Sequence, residues 1–325
     1  MGEKKSTTPK VETVGLAGLG QLGCGVAACF LGHGYRLIAY DPLPSARTQA
    51  RAYIAQALRE LVERAGFPAS LLDTWPARYT EAATFEDFAP CQFFVESIIE
   101  DETAKKNLFA QLEAVLPPDA PIASNTSAIP ITRLQEGCRH PERFLGMHWF
   151  QPAYVTRFLE VIRGAQTSDA VFAQAEALAW SLGKEPALVR KDIRGFVANR
   201  LGYAMFREAL YLIDQGVADA ETIDRTIRNA SGWVAAISGP CRLMDRSGLP
   251  LYAAVMRELF PELSNAAEIP ASMQALLDSG AHGMASGRGF HEYQPGDLER
   301  WDAKFKEFAW EMRALTDKYA PLRKP

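Results

Sequence analysis

Long apolar runs are missing from this chain. None of the 325 residues falls in a stretch apolar for the roughly 20 positions a bilayer-spanning helix needs, and no secretory leader is visible, so no membrane partner is expected. Charge of one sign is equally scarce. The 35 Lys and Arg against 39 Asp and Glu leave a net charge of -4, which offers no basic surface for nucleic acid or an anionic membrane. Cysteine is sparse too: Cys24, Cys29, Cys91, Cys138 and Cys241 are an odd set without a C-x-x-C pair. That excludes a disulfide framework and a cysteine-based metal centre, and it points to reduced thiols in a cytoplasmic protein that holds no metal. No internal repeat or low-complexity stretch appears, and residues 1–10 read as a polar, disordered lead-in.

Glycine is abundant where it matters. Residues 11–41 run from an apolar strand, Val11 to Ala17, through the turn Gly18-Leu-Gly20-Gln21-Leu22-Gly23 into a helix ended by Gly34; a second strand, Arg36 to Tyr40, then delivers Asp41. Gly18 permits the sharp turn, Gly20 lets backbone approach a pyrophosphate, and Gly23 allows close helix-to-strand packing. The helix start at Gln21 and Leu22 adds unpaired N–H groups and the positive dipole end. A bare glycine fingerprint is weak, but this one follows a strand, opens a helix and places an acid about 20 residues on, where a ribose 2'-hydroxyl needs it. A dinucleotide site is therefore expected, with Asp41 selecting NAD by repelling a 2'-phosphate. Arg47, nearby, is read as part of a solvated helix face.

Strand and helix patterns alternate as far as Val189. Helices are expected over Ser45 to Ala65, Ala69 to Asp73, Asp101 to Val115, Ile129 to Gln135 and Ser168 to Leu182. The strands between them are Gln92 to Val95, Pro121 to Ala123, Phe144 to Phe150, Phe158 to Ile162 and Pro186 to Val189. This is the pattern of an α/β, Rossmann-type doubly wound, mostly parallel sheet. Helical periodicity then takes over, from Gly195 to Gln215 and from Ala220 to Asn229. The domains are thus expected at 11–191, a dinucleotide-binding unit with a helical insertion, and at 192–325, an all-helical unit.

Of five histidines, His148 is singled out because it interrupts the apolar run Met147-His148-Trp149-Phe150-Gln151-Pro152 at a sheet end. Glu160 would lie beside it if the two neighbouring strands pair. A carboxylate on one imidazole nitrogen fixes the tautomer and raises the basicity of the other, which suits a dehydrogenase, where hydride leaves carbon as a proton leaves the adjacent oxygen. The four small polar residues Ser124-Asn125-Thr126-Ser127 at another strand end form either a helix cap or a binding loop.

Together these landmarks resemble the L-3-hydroxyacyl-CoA dehydrogenase family over nearly the whole chain. The resemblance rests on the glycine fingerprint with Asp41, Val95-Glu-Ser-Ile-Ile-Glu100 with Lys105, Ala123-Ser-Asn-Thr-Ser127, and Arg143 through Pro152. It also draws on Glu160 through Ser168, Gly195-Phe-Val-Ala-Asn199, Gly239 through Asp245 and Ser286-Gly-Arg-Gly-Phe290. It implies that His148 is the general base of alcohol oxidation and Glu160 its orienting partner. Ser127 and Asn199 would bind the reacting substrate, with Glu100, Lys105 and Asn125 on the cofactor side and a homodimer formed through the helical domain. The implied reaction is NAD-dependent interconversion of a 3-hydroxyacyl thioester and its 3-keto form.

Departures from the family pattern cluster near the substrate. Gln151 replaces Asn, Arg194 replaces Pro, Ala285 replaces Lys, and Thr156 and Arg157 replace Met and Lys. Gln151 and Arg157 are candidate substrate-binding residues. The Leu201-Gly-Tyr-Ala204 run and the charged helix from Trp301 resemble the family's branch for free hydroxy acids such as carnitine or gulonate, which includes a lens crystallin. A small free hydroxy acid is the alternative substrate, and an NAD-binding protein without turnover the remaining one.

Overall fold

The computed structural model describes residues 11–319, so the expected lead-in lies outside the described residues. Contacts divide the chain into two compact units that meet between Asn199 and Arg200.

The first unit holds one eight-stranded sheet. Its strands are β1 (Thr13–Ala17), β2 (Arg36–Tyr40), β3 (Tyr79–Glu81), β4 (Phe93–Glu96), β5 (Ile122–Ser124), β6 (Phe144–Trp149), β7 (Phe158–Ile162) and β8 (Glu185–Val189), in the order β3-β2-β1-β4-β5-β6-β7-β8. The order reverses between β1 and β4, the switch point beside which ligands of open α/β sheets collect. Helical crossovers explain the parallel pairs: α1 (Gln21–Gly32) joins β1 to β2, α2 (Pro44–Ala65) and the one-turn α3 (Leu71–Thr74) lead to β3, and α4 (Glu102–Val115) joins β4 to β5. Then come α5 (Ile131–Gln135) before β6 and α6 (Asp169–Ser181) before β8.

The pair β6 and β7 runs antiparallel, because residues 150–157 between them contain no crossover helix. That reversal brings the start of β7 to the carboxyl end of β6. Strand interiors such as Val14, Leu16, Phe93, Phe94 and Ile122 are fully covered, as sheets flanked on both faces require.

The structure departs from the sequence pattern in several places. Strand β3 was not among the predicted strands; three residues are too few to display alternation. The helix predicted from Gly195 starts only at Ala198 (α7, Ala198–Asp214), because Gly195 and Phe196 take positive φ values of 78° and 49°. The change of unit, expected near Asp192, comes after Asn199, since Phe196 is fully buried in the core of the first unit.

The second unit contains the rest of α7 with α8 (Ala220–Thr226), α9 (Trp233–Ile237), α10 (Gly239–Ser247), α11 (Leu249–Leu259), α12 (Ala271–Asp278) and α13 (Asp297–Tyr319). The helix predicted to end at Asn229 widens into a π-helical segment, Ile227–Gly232. Asp214, at the end of α7, accepts the N–H groups of Ala271 and Ser272 at 3.0 and 2.9 Å and so caps α12.

Candidate active site

The turn between β1 and α1 is shaped by its glycines. Gly18 has φ 95°, and a Cβ there would lie 2.2 Å from the Ser97 carbonyl oxygen; at Gly23 it would lie 2.0 Å from the Gly18 oxygen. At Gly20 an added Cβ meets nothing within 4 Å. The first two glycines are therefore demanded by the fold, whereas Gly20 keeps open space before the start of α1. No side chain caps that helix and no acid occupies its first turn, so its N–H groups and dipole suit an anion.

Beyond β2, the Asp41 carboxylate accepts the N–H of Leu19 and of Leu43, each at 2.9 Å, which fixes it at the strand end. The Arg47 guanidinium donates to the Asp41 carbonyl at 3.2 Å, closer to this acid than a purely solvated face implies. These residues fit a dinucleotide with a diphosphate over Gly20 and a ribose at Asp41. A Gly20→Val variant should keep its melting temperature within about 2 °C and lose at least about tenfold in NADH affinity, roughly 1.4 kcal/mol. Gly23→Ala should instead be destabilised by about 1–3 kcal/mol through overpacking. Thermal unfolding and fluorescence titration check both, and equal behaviour of the two variants would contradict these roles.

The antiparallel register places His148 opposite Glu160. The His148 ring nitrogen Nδ1 stands 2.8 Å from Glu160 Oε2, and both side chains are buried. The other carboxylate oxygen, Oε1, accepts the N–H groups of Val197 and Ala198, both at 2.9 Å. The consecutive positive φ values of Gly195 and Phe196 turn those two N–H groups onto one point, a backbone nest for an anion. Burial works against the Glu160 charge, but His148 and the Ala198 and Val197 N–H groups outweigh it and hold the carboxyl below its ordinary value. With Nδ1 committed, Nε2 is the ring nitrogen that remains available. The rings of Phe150 and Phe196 flank the imidazole at centroid distances of 5.2 and 5.7 Å.

The loop leaving β5 carries Ser127. Glu100 Oε1 accepts the Thr126 hydroxyl at 2.5 Å and the N–H groups of Ser127 and Ala128 at 3.0 Å each. The Ser127 carbonyl accepts Asn199 Nδ2 at 3.1 Å. Both backbone groups of Ser127 are thus engaged, and this sets the direction of its exposed side chain. Asn125 is a strap: its Oδ1 accepts the Trp149 N–H and its Nδ2 donates to Ser97 Oγ, both at 3.0 Å, which ties the ends of β4, β5 and β6 together beside His148.

The structure therefore brings His148 to Glu160 and Ser127 to Asn199, with Glu100 beneath the Ser127 turn. Lys105, expected on the cofactor side, is 1% exposed, and its ammonium pairs with the buried Glu96 at 2.6 Å. Gln151 is exposed on the loop after β6, joined to Pro152 by a cis peptide, and Arg157 lies half-buried where that loop enters β7. Lys184 donates to the carbonyls of Ala153 and Thr156, and the Tyr154 hydroxyl donates to Glu60 Oε2 at 2.7 Å, so the loop is pinned from two sides. Sequence reasoning missed Glu96, although an acid at the end of the apolar run Phe93-Phe-Val-Glu96 was a visible signal. It also missed the Val197 and Ala198 N–H groups, which no side-chain pattern reveals.

Known proteins resemble this chain over most of its length. The profile of the 3-hydroxyacyl-CoA dehydrogenase NAD-binding domain matches residues 13–193, and that of the C-terminal domain matches residues 195–293. The 5-formyl-3-hydroxy-2-methylpyridine 4-carboxylate 5-dehydrogenase of Mesorhizobium japonicum is 32% identical over 90% of this chain and 94% of its own. A probable 3-hydroxybutyryl-CoA dehydrogenase of Deinococcus radiodurans is 34% identical over 86% of this chain and 99% of its own. A crystal structure of a 5-formyl-3-hydroxy-2-methylpyridine 4-carboxylic acid 5-dehydrogenase, described as an NAD+-dependent dismutase, superimposes with a TM-score of 0.85. It is 31% identical and covers 94% of this chain and 97% of its own. With both family domains matched in order, the chain belongs to the 3-hydroxyacyl-CoA dehydrogenase family of NAD-dependent oxidoreductases.

Proposed function

We propose that this protein interconverts a 3-hydroxyacyl thioester and its 3-keto form, with His148 as acid-base and Glu160 as its orienting partner. The observation that carries the reading is the buried 2.8 Å contact between His148 and Glu160, beside a sheet end where Ser127 and Asn199 are also joined. When bound, NAD supplies the hydride acceptor for oxidation. His148 Nε2 takes the proton of the substrate hydroxyl, and Glu160 stabilises the imidazolium that results. Ser127 and Asn199 orient the oxygen, while Phe150 and Phe196 keep water from the ring.

A free hydroxy acid is the second reading, and one observation favours it. The guanidiniums of α2 that could clamp a CoA phosphate are engaged within the protein, Arg51 with Glu81 at 2.6 Å and Arg59 with Gln56 at 2.8 Å. In that case Arg157 or Arg194 would serve the substrate carboxylate. The deciding experiment is NADH oxidation with acetoacetyl-CoA, run beside NAD reduction with free hydroxy acids including carnitine and gulonate. Turnover of the thioester supports the first reading, turnover of free acids alone moves the assignment to the second, and turnover of neither sinks both.

The helical unit supports a homodimer. Tyr203, Phe206, Trp233, Leu249, Leu251 and Phe260 are each at least half exposed, more apolar surface than a monomer's helices ordinarily leave uncovered. A second copy related by a twofold axis is the simplest cover. Sedimentation at micromolar concentration should give the dimer mass, and a monomer there would refute this. Cytosolic residence fits five cysteines that form no disulfide, and recovery of the enzyme outside the soluble fraction of lysed cells would count against it.

A further inference from the structure

The loop between β6 and β7 joins the two strands that carry His148 and Glu160, and it is held by a buried cation that the proposed chemistry does not use. Residues 152–156 make a single turn: the Pro152 carbonyl accepts the N–H groups of Val155 at 2.9 Å and Thr156 at 3.0 Å. The carbonyls of Ala153 and Thr156 in that turn both accept hydrogen bonds from the ammonium of Lys184, the residue that leads into β8. Lys184 is 2% exposed, and its Nζ also stands 5.3 Å from the centroid of the Trp149 ring, the neighbour of His148 in β6. Two further contacts close the loop. The Thr156 hydroxyl donates to the Phe150 carbonyl at 3.3 Å, and helix α1 comes so near at Gly25 that an added Cβ would lie 3.2 Å from Ala153 Cβ.

We propose that Lys184 is a positioning residue for the acid-base centre: its ammonium gathers the carbonyls of the 152–156 turn and thereby holds Phe150 against the His148 ring. The inference rests on the reading of His148 as the acid-base. Phe150 needs such support. Its ring centroid lies 5.2 Å from that of His148 and 4.8 Å from that of Phe158, yet the residue stays 40% exposed, so packing covers it incompletely and its backbone must set its place. That backbone is reached from Lys184 through one residue. Thr156 takes the ammonium on its carbonyl and passes its hydroxyl to the Phe150 carbonyl. Burying an ammonium is costly unless its protons are used, and here they form charge-assisted bonds to two carbonyls of one turn. The bond from Tyr154 to Glu60 restrains a side chain of the same turn and leaves these carbonyls to Lys184.

Lys184→Met keeps most of the side chain's bulk and removes the ammonium. Assayed with whichever of acetoacetyl-CoA or the free hydroxy acids the parent turns over, it should lose about tenfold or more in kcat while NADH affinity stays within about threefold. Amide exchange in the peptide covering residues 150–157 should accelerate by about tenfold. A lysine that serves only the fold would loosen the loop without slowing turnover. Faster exchange with kcat within about threefold of the parent would therefore overturn the proposal, as would unaltered exchange. A double-mutant cycle with Phe150→Ala reads the route. Once that ring is gone, Lys184→Met should lower kcat by less than about a further threefold, and losses that multiply would show that Lys184 does not act through Phe150. Should Lys184→Met not fold, Lys184→Gln, a neutral side chain that still carries N–H donors, is held to the same criteria. His148→Gln, measured in parallel, separates the two ideas. Full turnover of that variant removes the acid-base reading and this proposal with it, whereas an inactive His148→Gln beside a fully active Lys184→Met removes only the role given to Lys184.

Discussion

Replacing His148 by Gln is expected to lower kcat by about 10³-fold while NADH affinity stays within about threefold. The introduced amide could still take a hydrogen bond from a substrate hydroxyl, but it accepts no proton, so the alcohol would have to ionise unaided. The site offers no substitute. Glu160 faces the Nδ1 side and spends its second oxygen on Val197 and Ala198, and Glu100 is consumed by the Ser127 turn. Single-turnover measurement of hydride transfer, with NADH titrated separately, checks this. A kcat within tenfold of the parent would remove His148 from the reaction, since general acid-base catalysis is worth about 10²–10⁴-fold.

Glu160→Gln should cost nearly as much by a different route. Its carbonyl can keep the Val197 and Ala198 N–H groups, which leaves the amide NH2 pointing at His148 Nδ1. The ring must then put its proton on Nε2, the atom that has to accept one. This wrong-tautomer penalty reaches about 10⁴-fold in the serine-protease triad, and about 10³-fold or more is expected here in the oxidation direction. Glu160→Ala adds a structural loss, because it leaves two buried N–H donors without an acceptor at about 1–3 kcal/mol each.

Acidity separates the two contributions. The folded Glu160 carboxyl titrates below its ordinary 4.5, so the stability it contributes is present at neutral pH and is lost as pH falls through the folded value. The unfolding free energies of the parent and Glu160→Gln should therefore differ at pH 7 and converge below 4.5. A constant difference across that range would mean that Glu160 is not held ionised by the nest. Denaturant titrations at several pH values measure it.

Much of this site could be read from residue order, and the parts that could not share a cause. The glycine turn, Asp41 and the Ser124 to Ser127 loop are local devices: a strand end, a turn and a helix start lie within a few residues, and the backbone requirement is written in the side chains. His148 and Glu160 were legible as candidates, but their contact depends on β6 and β7 pairing antiparallel, and pairing direction is a property of the connection and not of either strand. The nest at Val197 and Ala198 was invisible because N–H groups belong to every residue alike; the fully buried, positive-φ Phe196 that aims them is a product of packing. The pairing of Lys105 with Glu96 was hidden for a related reason: it joins residues on different elements.

The unit boundary carries a last consequence, for recombination. The family profiles meet between residues 193 and 195, the obvious place to join the front half of one relative to the back half of another. Yet Val197 and Ala198, which hold Glu160, and Asn199, which holds the Ser127 turn, all lie beyond that seam. A chimera cut there inherits His148 and Glu160 from one parent and the anchor of Glu160 from the other. A crossover placed after Asn199 transfers His148, Glu160, its two N–H anchors and the Ser127 contact as one heritable block.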